Sequence, residues 1–263
     1  MNQSKPQVDI TYLNNFLSKV GKKPTINRDF SRAKLLNIIN KMAVNDPIQA
    51  QLARAHIEAY FGNIQNCVNA LEDVLKKTNY KYSHAWDMLM DTYVQSGDLE
   101  NIISTFQRIM KEDLDNQGKH QLLFMHVVRV YLLTEIIEKI RFENLGIQKD
   151  LLEIANNAKK LAELGVSVKI YRRFISKIYS LFYSHFSGTI QPILFFNDCE
   201  LVIRVNSTVD DAVELFELNN RFKDEIFSWY EKALDNSEQE QIEKITVYFK
   251  HKMFNFEVEE ASV

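Results

Sequence analysis

Two stretches of this chain, FGNIQNCVNALEDVL at residues 61–75 and SGDLENIISTFQRIM at residues 96–110, write the same pattern thirty-five residues apart. Each opens on a glycine turn and continues into an amphipathic run. The matched positions are Gly62/Gly97, Ile64/Leu99, Asn66/Asn101, Val68/Ile103, Leu71/Phe106 and Val74/Ile109. Their apolar members fall at helical spacing, so they are expected core contacts rather than a surface code. A helix precedes each run, from Pro47 to about Phe61 in the first copy and over HAWDMLMDTYVQS, capped by Ser83, in the second. The unit is therefore a helical hairpin. One hairpin cannot bury its apolar faces alone; a second copy at fixed spacing stacks on it and continues the core. The chain is committed to layered helices, and more layers are needed on either side.

Degenerate candidates flank the pair. Ile10, Leu13, Phe16, Leu17 and Val20 share one helical face, ended by Gly21 and Pro24. Ser31 is the expected cap of a second helix with the face Leu35, Leu36, Ile38, Ile39 and Met42. Asp46 before Pro47 is a strong helix start, because the carboxylate accepts free backbone N–H groups and proline at the first position loses no needed bond. Beyond the pair, QLLFMHVVRVYLLTEIIEKI, LLEIANNAKKLAEL and VKIYRRFISKIYSLFYSHF read as three helices separated by Gly146 and Gly165. In the last, Tyr171, Phe174, Ile178, Phe182 and Phe186 make one stripe, widened by Ile175 and Tyr179, and an aromatic stripe at this spacing reads as core.

The pattern changes after Ser187. Ile193–Phe196 and Glu200–Val205 read as short strands joined at Asn197-Asp198. Ser207 or Thr208 is the expected cap of a long helix from Val209 to about Leu234, with Val213, Phe216, Phe227 and Tyr230 among its apolar positions. Ser237 with Glu240 suggests a capping box. KITVYFKHK reads either as a third strand or as more helix. The fold class is mainly α: an α-solenoid over residues 9–187, a small α+β element of β-β-α-β type over 188–254, and loose termini at 1–8 and 255–263.

Trp86, Leu89, Tyr93, Gly97, Phe106 and Ile109 fall where the tetratricopeptide and pentatricopeptide repeat families place their large apolar residues and turn glycine. Residues 47–113 thus resemble those helical-hairpin repeats. The first copy departs by carrying Gln51 where the second has Trp86, and the usual helix-B alanine is replaced by Cys67 and Ile102. The resemblance implies a right-handed solenoid with a long concave face.

Chemistry is harder to find. Seven glycines are scattered and form no phosphate loop. Six histidines show no metal spacing, and Cys67 and Cys199 make no motif together; two free thiols in a reducing compartment are expected. The most apolar window, residues 122–137, is interrupted by His126, Arg129 and Glu135 and is too short for a membrane span. A cytoplasmic protein with no catalytic, cofactor or metal residues is the expectation. Asp198, Glu200, Asp210 and Asp211 form an acidic cluster around the strands, but Val202 stands where a metal-dependent nuclease wants a lysine.

Charge is uneven. Residues 1–45 carry eight Lys or Arg against two acids, and residues 197–263 carry seven against sixteen. Three functions follow in order. The first is a non-enzymatic protein-interaction scaffold or adaptor, one subunit of a larger complex, with Tyr60, Tyr80, Tyr82 and His84 as anchors, since tyrosine is enriched in binding hot spots. The second is a nucleic-acid accessory factor using Lys22, Lys23, Arg28, Arg32 and Lys34. Against it, the second copy's first helix carries Asp87 and Asp91 and no Lys or Arg, and acids there repel phosphate. A metal-dependent nuclease is third.

Overall fold

The structure is a computed structural model, and it describes residues 13, 15, 16, 18–23, 26–112, 121–137, 148–233 and 235–252. It is mainly helical with a small C-terminal sheet. A short strand β1 (Gly21–Lys22) precedes α1 (Arg28–Met42). The repeat pair follows as α2 (Pro47–Tyr60) with α3 (Ile64–Lys77), and α4 (Ser83–Ser96) with α5 (Leu99–Glu112). Then come α6 (Gln121–Tyr131), the single turn α7 (Thr134–Ile137), α8 (Gln148–Glu163) and the long α9 (Val168–His185). The remainder is β2 (Phe186–Ser187), β3 (Ile190–Phe196), β4 (Leu201–Ser207), α10 (Ala212–Glu231), α11 (Asn236–Glu243) and β5 (Ile245–His251).

The thirty-five-residue repeat holds down to single hydrogen bonds. Gly62 and Gly97 both turn the chain in the left-handed region, at φ 74° and 69°. The Asn63 N–H donates to the Glu58 carbonyl and the Asp98 N–H to that of Tyr93, at 2.8 and 2.9 Å. The following helices start alike, with the Cys67 and Ile102 N–H groups each donating four residues back at 3.0 Å. Buried positions also match: Cys67/Ile102, Leu71/Phe106 and Val74/Ile109. Ile64/Leu99 and Val68/Ile103, expected as core, are only half-buried at its margin. Trp86, Tyr93 and Phe106 lie inside, in the same apolar cluster.

That cluster runs without a break from Leu52 through α4, α6 and α9 to Phe249 of the sheet. The centre is α9, buried through Tyr171, Phe174, Ile175, Ile178, Tyr179 and Phe182. It packs on α4 on one side and on α10 on the other, where Phe174 meets Trp229 at 5.2 Å between ring centroids. Gly97 lets α9 come close: a Cβ there would lie 2.3 Å from the Ser176 carbonyl oxygen. A smaller, separate core of Leu13, Leu35, Ile39, Ala50, Ile57 and Phe61 holds α1 against α2. Val20, expected on the face of the first helix, is exposed and outside it; Ile10, Leu17 and Pro24 lie outside the described residues.

The helix expected over residues 121–140 breaks at Leu132, where φ is 49°. Groups from α9 take the carbonyls freed there: the Tyr171 hydroxyl donates to the Val130 carbonyl at 2.7 Å, and the Arg172 guanidinium donates to those of Tyr131 and Leu132. Gly146 lies outside the described residues, and Gly165 separates α8 from α9 at φ 71°.

In the C-terminal element β4 is central, antiparallel to β3 and parallel to β5. The parallel pair needs a long crossover, supplied by α10 and α11. The stretch 245–251 is therefore strand, settling the alternative left by its sequence. Inward residues Leu201, Ile203 and Val205 of β4 alternate with half-buried ones, as a sheet covered on one face requires. The Asn219 side chain both donates to and accepts from the Phe249 backbone, at 3.0 and 2.8 Å, covering part of the outer edge of β5. The outer side of α10 is partly apolar. Val213, Phe216 and Phe227 face solvent, while Leu215, Leu218, Phe222 and Trp229 are buried.

Candidate functional site

The first helix of the second copy, α4, is packed between α3 and α9, and α2 comes near it where the Gln49 amide donates to the Tyr82 hydroxyl at 3.3 Å. Gln49 and His56 of α2 and His84 and Asp91 of α4 are exposed, with Asp87, Ala53 and Tyr60 half-buried among them; the last two pack on the smaller core, the Tyr60 ring 5.0 Å from that of Phe16 and 5.2 Å from that of Phe61. Gly97 meets Ser176, and Tyr183 senses the Asp91 charge, so α9 runs antiparallel to α4 and brings Tyr183 beside Asp91. A strap from the N-terminal region closes one end. There β1 pairs with β2, the Lys23 N–H donates to the His185 carbonyl at 2.7 Å, and its ammonium donates to the Tyr183 carbonyl at 2.5 Å. The same ammonium lies 5.4 Å from the centre of the Tyr60 ring.

The surface these residues share, the trough of the reading proposed below, has two groups with shifted titration. His56 and Asp91 are both open to solvent, yet both titrate as recessed groups. Loss of hydration lowers the His56 imidazole, and His84 nearby adds to that. Loss of hydration also pushes the Asp91 carboxyl up to about 6, with Asp87 as the second cause. Among the described residues, no ion pair or hydrogen bond holds Asp91. Below it a ladder of rings runs from Tyr131 through Tyr179 to Tyr183, with centroids 6.3 and 6.1 Å apart. The buried Tyr179 hydroxyl, raised in pKa chiefly by burial and also by the Asp91 charge, has no hydrogen-bond partner among the described residues.

Of the four expected anchors, the structure brings Tyr60 and His84 to this trough. Tyr80 and Tyr82 serve mainly the joint between hairpins. Tyr80 stacks on Trp86 and its carbonyl accepts the indole N–H at 2.9 Å. Tyr82 packs on the core, and its hydroxyl accepts from Gln49 at 3.3 Å. Sequence reasoning noticed Asp87 and Asp91 only as acids that repel phosphate, and missed Tyr183. The available signal was a first helix with two acids on one face and no cation.

The basic head does not form an open patch. The Lys22 ammonium pairs with Glu214 of α10 at 2.8 Å, and Lys23 is engaged as above. Desolvation lowers the Lys23 pKa to about 8. The Arg28 guanidinium donates to the Phe61 carbonyl and lies over its ring. Arg32 grips the buried Glu58 through two bonds of 2.8 and 2.6 Å, and Asn63 adds a third. Burial alone would raise the Glu58 carboxyl; those bonds outweigh it and hold the carboxyl below its ordinary range. Lys34 is exposed on α1 and has a partner of its own.

Two members of the acidic cluster near the strands are engaged locally. Asp211 caps α10 by accepting from the Val213 and Glu214 N–H groups, and Glu200 accepts from Asn197 and Thr246. Among the described residues no group of three or more His, Cys, Asp or Glu gathers as a metal site. Two other concavities flank α10. One of about 440 Å³ holds the ion pairs Arg173–Glu238 and Lys177–Glu225. The other, of about 600 Å³, is walled by Phe222, Ile226, Phe227, Tyr230, Ile245 and Val247. Cys67 and Cys199 are free thiols, one buried and one exposed. No described helix is long and apolar enough to cross a membrane. In comparisons with known proteins, no family model, curated protein or solved structure matches this chain.

Proposed function

We propose that this protein is a non-enzymatic, cytoplasmic interaction module, an adaptor or subunit that holds a peptide segment of a partner in the trough between α2, α4 and α9. The hairpins are read as a right-handed, tetratricopeptide-like stack, in which first helices line the inner face. The observation that carries the reading is the solvent-facing surface of the repeat, where His56, His84 and Asp91 are exposed and the half-buried Tyr60 ring carries the Lys23 ammonium. Aromatic and mixed polar groups in a recessed furrow suit a segment of chain whose backbone and side chains both need partners.

The test is fluorescence anisotropy with a labelled, randomised nonapeptide pool. Binding in the micromolar range, weakened about tenfold or more by the double variant Tyr60→Ala, His84→Ala, supports the reading, tenfold being roughly 1.4 kcal/mol. A pool that fails to bind, or that ignores the double variant, overturns it. A labelled single-stranded RNA run alongside tests the nucleic-acid alternative, which requires tight binding with a steep loss in salt.

A further inference from the structure

We propose that the outer edge of β5 and the groove beside it take an extended segment of another protein, added to the sheet as a further strand, with apolar side chains at alternate positions and an acidic residue among the rest. This site lies in the C-terminal element, apart from the surface of α2, α4 and α9, and goes beyond the reading above. Strand β5 ends its sheet, which has the order β3-β4-β5. Backbone groups of successive strand residues point to opposite edges. Bonds at the two ends of the parallel pair fix which way: the Lys244 carbonyl accepts from the Leu201 N–H and the Lys252 N–H donates to the Ser207 carbonyl, both at 2.8 Å, so the even-numbered residues of β5 face β4. The odd-numbered Ile245, Val247 and Phe249 turn their N–H and C=O groups outward. Phe249 is satisfied there by the Asn219 side chain, which donates to its carbonyl at 3.0 Å and accepts from its N–H at 2.8 Å. Those are the two bonds that the opposite residue of an antiparallel strand makes. Toward the start of β5 there is no such stand-in: among the described residues nothing bonds the outward groups of Ile245 and Val247.

The groove of about 600 Å³ opens at those same two residues. Its other wall is α10, through Phe222, Ile226, Phe227 and Tyr230. Phe227 is 62% exposed, so an apolar side chain laid on it takes both surfaces out of water. Side chains of a strand alternate between its faces, so every second residue of a segment paired on Val247 enters the groove while the others stay in solvent. Charge sets the rest. Lys223 lines the groove and makes no ion pair or hydrogen bond among the described residues, whereas Glu243, the acid of the lining, accepts from the Tyr230 hydroxyl at 2.8 Å. A carboxylate of the segment gains a partner at Lys223, and an ammonium does not. A small apolar molecule would fill the groove but leave the backbone of Val247 unpaired, and a nucleic acid brings phosphates but no strand backbone.

Labelled nonapeptide pools titrated against the full chain by fluorescence anisotropy test this. The parent pool has Leu, Ile, Val or Phe at the even positions and Asp, Ser or Thr at the odd ones. Two further pools carry backbone N-methyl groups, on a pair of even positions in one and a pair of odd positions in the other. An added strand turns the N–H groups of alternate residues toward β5, so one methylated pool should bind like the parent and the other about tenfold or more weaker, in line with the loss of roughly two backbone hydrogen bonds. Val247→Pro removes the outward donor and spares the bonds to β4, a placement proline tolerates on an edge strand. It and Phe227→Ala should each weaken the parent pool about fivefold or more, with thermal melts confirming that both fold, and Lys223→Gln should cost about twofold to threefold. A parent pool that does not bind, or methylated pools that bind alike, overturns the added strand. So does binding kept in Val247→Pro and Phe227→Ala but lost in the double variant Tyr60→Ala, His84→Ala, which belongs to the other surface. A pool with lysine in place of aspartate that binds equally well overturns the acidic character of the partner. If sedimentation shows the chain pairing with itself, and Val247→Pro abolishes the pair, the edge serves a second copy and the proposal falls. None of these failures touches the reading of the surface of α2, α4 and α9, which its own double variant tests.

Discussion

The two sides of α4 handle polar groups in opposite ways. On the side facing the core, Trp86 and Leu89 are completely buried and Tyr93 nearly so. Each charge or dipole brought close to them is matched. The indole N–H donates to the Tyr80 carbonyl, and the Arg108 guanidinium lies 4.9 Å from the Trp86 ring while held by both oxygens of Glu72. On the side facing the trough, Asp91 is desolvated and has no cation. The first arrangement is what stability selects, since a buried polar group left unpaired costs free energy. The second spends stability, and groups with perturbed titration in a cleft are where binding is found. On the proposed reading, one helix carries a structural face and a binding face.

Damage to the structural face should cost most. Trp86→Ala removes the largest fully buried side chain and strands the Tyr80 carbonyl, for an expected loss of about 3–5 kcal/mol. A urea titration with unchanged slope measures it. A loss under about 1 kcal/mol would mean that the hairpins do not share one core. Gly97→Ala is next. The left-handed backbone costs about 1–2 kcal/mol with a side chain, and the Cβ meets the Ser176 carbonyl at 2.3 Å, so α4 and α9 must part; about 2–4 kcal/mol in all is expected. Gly62→Ala is the matched control, with the same backbone strain but only the tip of Arg28 within reach, at 3.3 Å. The difference between the two alanines measures the contact of α9 on α4. Equal losses would show that this contact contributes nothing.

Much of the structural face was legible in the sequence, because the repeat encodes local geometry. Gly62 and Gly97, the Asp46-Pro47 start and the Asp98 cap all lie where residue chemistry puts them, with the Gln49 and Asn101 N–H groups donating to the two aspartates. Other starts were misplaced. Ser31, Ser83, Ser207 or Thr208, and Ser237 were the expected caps, whereas Asn27, Tyr82, Asp211 and Asp235 hold those positions. Several neighbouring residues can each cap a helix, and tertiary packing decides which one leaves the helical backbone. Ser207 shows this well: it ends β4, and its hydroxyl accepts from the Val209 N–H instead of starting α10. Which side of α10 is outward was not legible for a related reason. Both of its faces carry apolar residues, so periodicity does not say which one meets the sheet. The trough was beyond reach for a further reason. Tyr183 and Asp91 are ninety-two residues apart in the chain, and the close approach at Gly97 and Ser176 that unites them is not a local property of either segment.

The smallest expected effect sharpens the contrast most, because it has the opposite sign. Asp91→Asn should stabilise the protein. Its carboxyl titrates near 6 in the fold against an ordinary value of 3.8, so folding favours the protonated form. Stability from this group is therefore fully present below about pH 4 and lost as pH rises through 6. At pH 7 the wild type bears the whole cost and asparagine bears none. Because the side chain is open to solvent, screening reduces the gain to under about 1 kcal/mol, a rise of a few degrees in melting temperature at most. At pH 4 the two proteins should melt together. Asp87 acts on the same carboxyl, and Tyr179 and Tyr183 sense its charge, so the melting difference between variant and wild type at each pH, rather than either curve alone, isolates Asp91. A variant less stable at pH 7 would mean that the carboxylate already has a stabilising partner, and the contrast between the two faces of α4 would disappear.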